Sequence, residues 1–190
     1  MSQDDKLVRQ GEELKGLTHP LRVRMLGALR EHGPATATEL ARRFETDTGA
    51  TSYHLRKLAQ YGFVEEVASG GHPRSRRWRA MHKTTSWNNS EMAASSAGRS
   101  AAGWMRRQQA EILVSNVESF EQDQTTLPAD WVDASGIGDL LVKLTPASVD
   151  ELWERFYAHV DELKARDAGN PDASKVSIVV SAFPRSGERS

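Results

Sequence analysis

The 190-residue chain carries 25 Lys plus Arg against 26 Asp plus Glu and contains no cysteine. Its length suits one ordinary domain or two small ones, and the missing cysteine excludes a disulfide framework, a thiolate metal site and a cysteine nucleophile, which fits a reducing cytoplasm. No apolar run approaches the roughly 18 residues that span a bilayer and the start is unlike a signal peptide, so the expectation is a soluble cytoplasmic protein with no membrane partner. The formal net charge of -1 conceals an asymmetry: residues 1–83 hold 15 basic against 10 acidic side chains, net +5, and residues 84–190 hold 10 against 16, net -6. The first part suits a polyanion and the second does not.

In chain order, Lys6 to Lys15 reads as a first helix with Leu7 and Leu14 among its sparse apolar positions. His19-Pro20 breaks it, because a residue before proline is pushed away from helical geometry, and Pro20 then suits the first turn of the next helix. That helix runs to about Glu31 on Leu21, Met25, Leu26 and Leu29, and Gly33-Pro34 stops it. Ala35 to Ala37 has room for one short edge strand. Thr36-x-x-Glu39 fits a capping box and opens a short helix to Phe44, with Leu40, Ala41 and Phe44 facing inward.

Thr46 or Asp47 can cap the helix that follows, and Gly62 sits just past its end, where a left-handed residue is easiest to place. Thr51, Leu55 and Leu58 fall at helical spacing on one buried stripe. The opposite face carries Thr48, Gly49, Ser52, Tyr53 and Arg56, with Lys57 at its margin. Short or flat hydrogen-bonding side chains with cations one turn on suit a helix that enters a major groove, while a merely solvated polar face is the plainer reading. His54 has two readings, packing or contact with DNA; Ser52 and His54 are two apart and do not face each other as a catalytic pair would.

After Gly62 the period changes. Phe63–Val67 and Arg76–Ala80 read as two strands of a hairpin around residues 69–75, whose glycines and proline suit its tip. This wing carries Arg74, Arg76, Arg77 and Arg79 within six residues, with Trp78 interleaved, against Glu65 and Glu66 on the outgoing strand. A hairpin lying along a phosphate backbone gains from such arginines.

Leu17-Thr-His-Pro-Leu-Arg, Thr38-Glu-Leu-Ala, Ser52-Tyr-His-Leu-Arg-Lys-Leu and Tyr61-Gly-Phe-Val-Glu-Glu, in this order, resemble the winged helix-turn-helix of ArsR-type bacterial transcription regulators over roughly residues 10–82. The resemblance implies a homodimeric DNA-binding transcription factor, most often a repressor released by an effector. In one respect the chain departs from the pattern: the turn between the two helices usually holds a glycine, and here it is Glu45-Thr46-Asp47.

His82 to Ser90 reads as a polar connector containing Trp87. Glu91 to Glu121 reads as one long helix, interrupted near Gly98 or Gly103, with Ala94, Ala97, Ala101, Trp104, Met105, Gln108, Ile112 and Phe120 along an apolar seam. Small residues on a seam let a second helix approach closely, either from a symmetric partner or from the same chain. Leu127 to Gly138 reads as a loop, Asp139 to Leu144 as a strand and Thr145-Pro146 as a helix start. Val149, Leu152, Trp153, Phe156, Tyr157, Val160 and Leu163 then repeat at helical spacing, and Val176 to Ala182 reads as a second strand. Together these predict an α+β chain: a winged helix-turn-helix over residues 1–83, a connector and dimerisation helix over 84–124, and a small β-α-β module over 125–190 whose sheet needs further strands from around Trp131 or a partner subunit.

No catalytic constellation is present, so an enzyme is not expected. Gly136-Ile-Gly138 precedes a predicted strand, the wrong order for a dinucleotide fingerprint, and Asp150, Glu151 and Glu154 share the solvent side of an amphipathic helix. Metal-sensing relatives use cysteines, or histidines and carboxylates on the dimer helix; this chain has no cysteine and no histidine between His82 and His159. Neither a metal nor a cofactor is expected. Trp87, Trp104, Trp131, Trp153, Phe156 and Tyr157 lie outside the DNA-binding core and either fill a small core or line a pocket for an organic effector. The leading function is therefore a sequence-specific, homodimeric DNA-binding repressor released by a non-metal effector; the alternative is a winged helix used for protein or RNA binding without duplex DNA.

Overall fold

The computed structural model describes residues 5–67 and 76–185. It divides into two compact units, residues 1–111 and 112–190. The first contains β1 (Asp5–Val8), α1 (Gly11–Leu14) running into a 3-10 turn (Lys15–Leu17), α2 (Pro20–His32), β2 (Ala35–Thr36), α3 (Ala37–Arg43), α4 (Thr48–Gln60), β3 (Val64–Val67), β4 (Arg77–Ala80), β5 (Thr84–Trp87), α5 (Asn89–Ala93) and most of α6 (Ser96–Asp123).

Local signals account for most of these boundaries. His19 caps α2, its Nδ1 accepting from the Leu21 amide at 3.1 Å, with Pro20 in the first turn. Thr36 and Glu39 form the predicted capping box: the Thr36 hydroxyl accepts from the Glu39 amide at 3.1 Å, and the Glu39 carboxylate accepts from the Thr36 amide at 2.6 Å. β2, β4 and β3 make an antiparallel sheet in that order, with Trp78 opposite Ala35 on one side and Glu66 on the other. Met25, Leu29, Leu40, Leu55, Leu58 and Phe63 are buried together where the helices meet this sheet.

Two expectations for the first unit need correction. Lys6 to Val8 is not helical: β1 pairs in parallel with β5, Lys6 beside Thr85 and Val8 beside Trp87. Val8 is fully buried in the core and the helix begins only at Gly11, where a Cβ would lie 2.5 Å from the Gly98 Cα. A partner strand whose residues lie 79 positions further along the chain therefore overrides the weak helical pattern. The second correction concerns the long helix, which breaks at Ala94-Ser95 and not at its glycines. The Ser95 hydroxyl caps the new start by accepting from the Gly98 amide at 2.9 Å, and a Cβ on Gly98 would meet the Met92 carbonyl at 2.3 Å. Gly98 is thus kept for close packing between α5 and α6. The seam itself divides: Ala101 and Met105 are buried in their own chain, as are Gly98 and Ala102 beside them, whereas Ile112 is exposed, as are Val114 and Val117 off the seam.

The second unit holds the end of α6, α7 (Ala129–Ala134) and α8 (Pro146–Arg166). α8 starts as expected, the Thr145 hydroxyl accepting from the Ser148 amide at 3.2 Å with Pro146 in the first turn. The two flanking strands do not form, so the β-α-β module is not assembled among the described residues. Residues 139–144 and 176–182 enter no ladder, and Leu140 stands 90 % exposed. A two-stranded sheet is marginal in water, and the segment around Trp131 that could have added a strand is the helix α7. The mixed α and β class is that of the first unit.

Candidate nucleic-acid interface

α3, a four-residue turn and α4 make the helix-turn-helix. α3 ends with the Thr46 amide donating to the Ala41 carbonyl at 3.0 Å and the Glu45 amide to the Arg42 carbonyl at 3.5 Å, a Schellman closure whose left-handed position is Glu45, φ 52°. α4 ends in the same way, Phe63 donating to Leu58 and Gly62 to Ala59, both at 2.9 Å, with Gly62 at φ 67°. The missing turn glycine is thus replaced by a glutamate holding the glycine's conformation. Asp47, not Thr46, caps α4, accepting from the Ala50 amide at 2.7 Å. The buried Thr51 hydroxyl donates across to the Ala37 carbonyl at 2.9 Å and pins α4 onto α3.

Facing away from this pin, Thr48, Gly49, Tyr53 and Arg56 are exposed, and Ser52 and Lys57 half-exposed. Arg56 donates from Nε to the Ser52 carbonyl at 3.1 Å, and Lys57 to the Gln60 side chain at 3.1 Å. His54 does not belong to this face: it is buried, its ring centroid 4.2 Å from that of His19. Burial first, then the neighbouring His19 and Arg22, holds the His54 imidazole below its usual value, and burial and Arg22 do the same to His19. The stripe of Thr51, Leu55 and Leu58 continues onto His54 because positions three and four apart share a helix face.

An open groove of about 510 Å³ lies between α4, the start of α3 and the wing, lined by Thr36, Thr38, Ser52, Arg56, Arg76 and Trp78. It brings Arg56 from the helix and Arg76 from the wing to one surface. The wing arginines are less free than their sequence density suggests. Arg76 meets Glu66 at 3.0 Å and Arg79 meets Glu65 at 2.6 Å across the hairpin. Arg77 turns back to the fold, donating to the Pro34 carbonyl at 2.5 Å and to Glu39 at 3.5 Å. Arg77 is therefore a tie between β4 and the α3 cap. Arg74 and the wing tip lie outside the described residues.

Two participants escaped sequence reasoning. Thr38 lines the groove, and Lys6 sits at the far end of α4, donating from Nζ to the Tyr61 carbonyl and to the Gly62 carbonyl at 3.1 Å, with the Phe63 ring 4.4 Å away. Nothing local marks Lys6, since β1 reaches α4 only through tertiary pairing.

Residues 17–67 match a family model described as a helix-turn-helix domain. This chain carries a winged helix-turn-helix domain. No curated protein matches the sequence. Among solved structures, this winged helix-turn-helix chain is similar to a homodimeric winged helix-turn-helix DNA-binding domain from Mycobacterium bovis, a possible ArsR-family regulator: 18 % identity, 57 % of this chain and 78 % of that one, TM-score 0.34. Another is a cysteine-to-serine mutant of E. coli MarR complexed with operator DNA, at 19 % identity, 77 % and 81 % coverage and TM-score 0.34. A third is YusO from Bacillus subtilis, at 16 % identity, 67 % and 86 % coverage and TM-score 0.35.

The aromatic set falls into separate groups. Trp87 and Trp104 pack against the core of the first unit. In the second unit, Trp153 stacks on Tyr157 at 6.2 Å and Phe156 meets Tyr157 edge-on at 5.4 Å along α8, while Trp131 lies on α7. Among the described residues, no group of three or more His, Asp or Glu could hold a metal ion, and no helix is long and apolar enough to cross a membrane.

Proposed function

We propose that this chain is a sequence-specific DNA-binding transcriptional regulator in which α4 reads base edges and the wing lies on the phosphate backbone. The observation that carries the reading is one continuous surface, formed by Thr48, Gly49, Ser52, Tyr53 and Arg56 on α4 and reaching Arg76 of the wing across the groove. No carboxylate lies on that face of α4. Phosphate contacts would set register and base contacts would specify sequence. We further propose that it acts as a homodimeric repressor: the exposed Val114 and Val117 of α6, three apart on one helix face, are apolar surface that a symmetric partner would cover. Release would come from a small organic molecule held by the aromatic group of α8, Trp153, Phe156 and Tyr157, and not from a metal. No enzymatic step belongs to this reading.

The test is a salt-titrated binding assay on the DNA upstream of the chain's own gene and on random duplex. The parent should prefer the former, and Arg56→Ala or Tyr53→Ala should cost about 1 to 3 kcal/mol there and relax specificity. Equal binding of parent and variants to both duplexes would reject α4 as the reading element and favour the protein- or RNA-binding alternative.

A further inference from the structure

A recognition helix can present its outer face reproducibly only if both of its ends are held. The N-terminal half of α4 is pinned by the Thr51 hydroxyl on the Ala37 carbonyl. At the other end, α helical carbonyls run out and leave acceptors that a cation complements. Lys6 supplies that cation. Its Nζ lies over the buried Phe63 ring, 4.4 Å from the centroid, and bridges the Tyr61 and Gly62 carbonyls, the C-cap residue of α4 and the residue after it.

What holds Lys6 is equally specific. β1 is paired along its whole length with β5, whose Thr85 stands opposite Lys6. β5 is fastened in turn to α2, because the half-buried Arg30 donates from Nε to the His82 carbonyl at 2.9 Å and from Nη2 to Thr85 Oγ1 at 2.7 Å. The chain then leaves β5 directly into α5, capped by Asn88. A ribbon of two parallel strands is therefore interposed between the C-terminal end of α4 and the start of the α5–α6 arm. Lys6 bonds this ribbon to the α4 terminus.

We propose that Lys6 is a positioning residue for DNA reading: through the β1–β5 ribbon it fixes the C-terminal end of α4, and so sets how Ser52, Tyr53 and Arg56 meet the bases. This rests on the DNA-binding reading above. It differs from a phosphate contact, since the Lys6 ammonium is engaged by protein carbonyls, and from a merely stabilising bond, since its effect must appear as discrimination between sequences.

The experiment uses the full chain with Lys6→Met, which keeps a long unbranched side chain and removes the ammonium, and Lys6→Arg, which keeps charge and donors. Two measurements are made: affinity for the upstream and random duplexes across a salt series, and amide hydrogen exchange of the free protein. Lys6→Met should lose about three- to tenfold on the upstream duplex, the range expected for a cation at a partly buried helix C-terminus, with random binding and salt slope unchanged. Exchange should quicken at Gly62 and Phe63 but not in α3, and Lys6→Arg should restore both. A loss equal on both duplexes with the salt slope lower by about one would make Lys6 a phosphate contact and overturn the proposal. Unchanged discrimination in a protein that does prefer its upstream duplex would also overturn it, as would unchanged exchange at Gly62 and Phe63. If the parent shows no sequence preference while Lys6→Met quickens exchange only at the end of α4, the DNA-reading function fails and the clamp on α4 stands.

Discussion

Replacing Glu45 by glycine should make this protein more stable. Glu45 holds φ 52° as the left-handed residue of the Schellman closure after α3, and its exposed side chain enters no ion pair given for the described residues. An L-residue in that conformation costs about 1 to 2 kcal/mol, which glycine removes. Glycine adds conformational freedom to the unfolded chain, worth about 0.4 to 1 kcal/mol in the other direction. The difference favours Glu45→Gly by about 0.5 to 1 kcal/mol, which at about 2 to 4 °C per kcal/mol is a rise in Tm of about 1 to 4 °C. The control is Gly33→Ala. Gly33 lies at φ 82° and ψ -166°, and an added Cβ there would meet nothing within 4 Å, so in the folded state only backbone strain opposes the change. That substitution should cost about 1 to 3 kcal/mol. Urea unfolding at constant m-value, with thermal scans beside it, reads both variants. A Glu45→Gly variant less stable than the parent, beside a Gly33→Ala variant that behaves as expected, would refute the account: the glutamate side chain would then contribute more than its backbone costs.

Arg77→Ala and Arg76→Ala should separate. Arg77→Ala loses the bonds to the Pro34 carbonyl and Glu39 and should lower stability by about 1 to 2 kcal/mol in urea unfolding. Arg76→Ala, at a more exposed cross-strand pair, should leave stability within about 0.5 kcal/mol but weaken cognate and random duplex alike in the salt-titrated assay. Thr51→Val removes the hydroxyl tie to Ala37 at nearly constant volume and should cost about 1 kcal/mol, measured by urea unfolding; no loss would mean the two helices are held by packing alone. Stability should also fall with acid around the paired imidazoles. Both His19 and His54 are held below their ordinary value of about 6.5 in the folded protein, so the unfolded chain binds more protons as pH drops through that value. Their contribution is complete above it and is lost as pH falls through the lower folded values; protonating His19 Nδ1 also removes its cap on the Leu21 amide. Urea midpoints at successive pH values check this, and His54→Gln should flatten the dependence.

The sequence alone determined the helix-turn-helix and its wing, because there the signals are local and agree. Pro20, the Thr36 and Glu39 box, Asp47 and Gly62 mark helix ends through bonds made within a few residues, and the stripe of Thr51, Leu55 and Leu58 follows from helical period. The same holds for Thr145-Pro146 at the start of α8. Tertiary structure decided what depends on partners distant in the chain. β1 is a strand because Thr84–Trp87 lies beside it, a pairing that no pattern within residues 5–8 discloses. Of the two readings open for His54, packing or contact with DNA, packing holds because His19 provides a ring to pack on. Arg77 became a tie to the fold because the β2–β4 register sets it beside Pro34 and Glu39. Residues 139–144 and 176–182 read as strands from their apolar composition, yet a strand exists only with a neighbour to bond, and the described residues bring none to them. Burial, pairing and charge compensation are properties of two segments together, which is why Lys6, unremarkable within β1, becomes legible only at the end of α4.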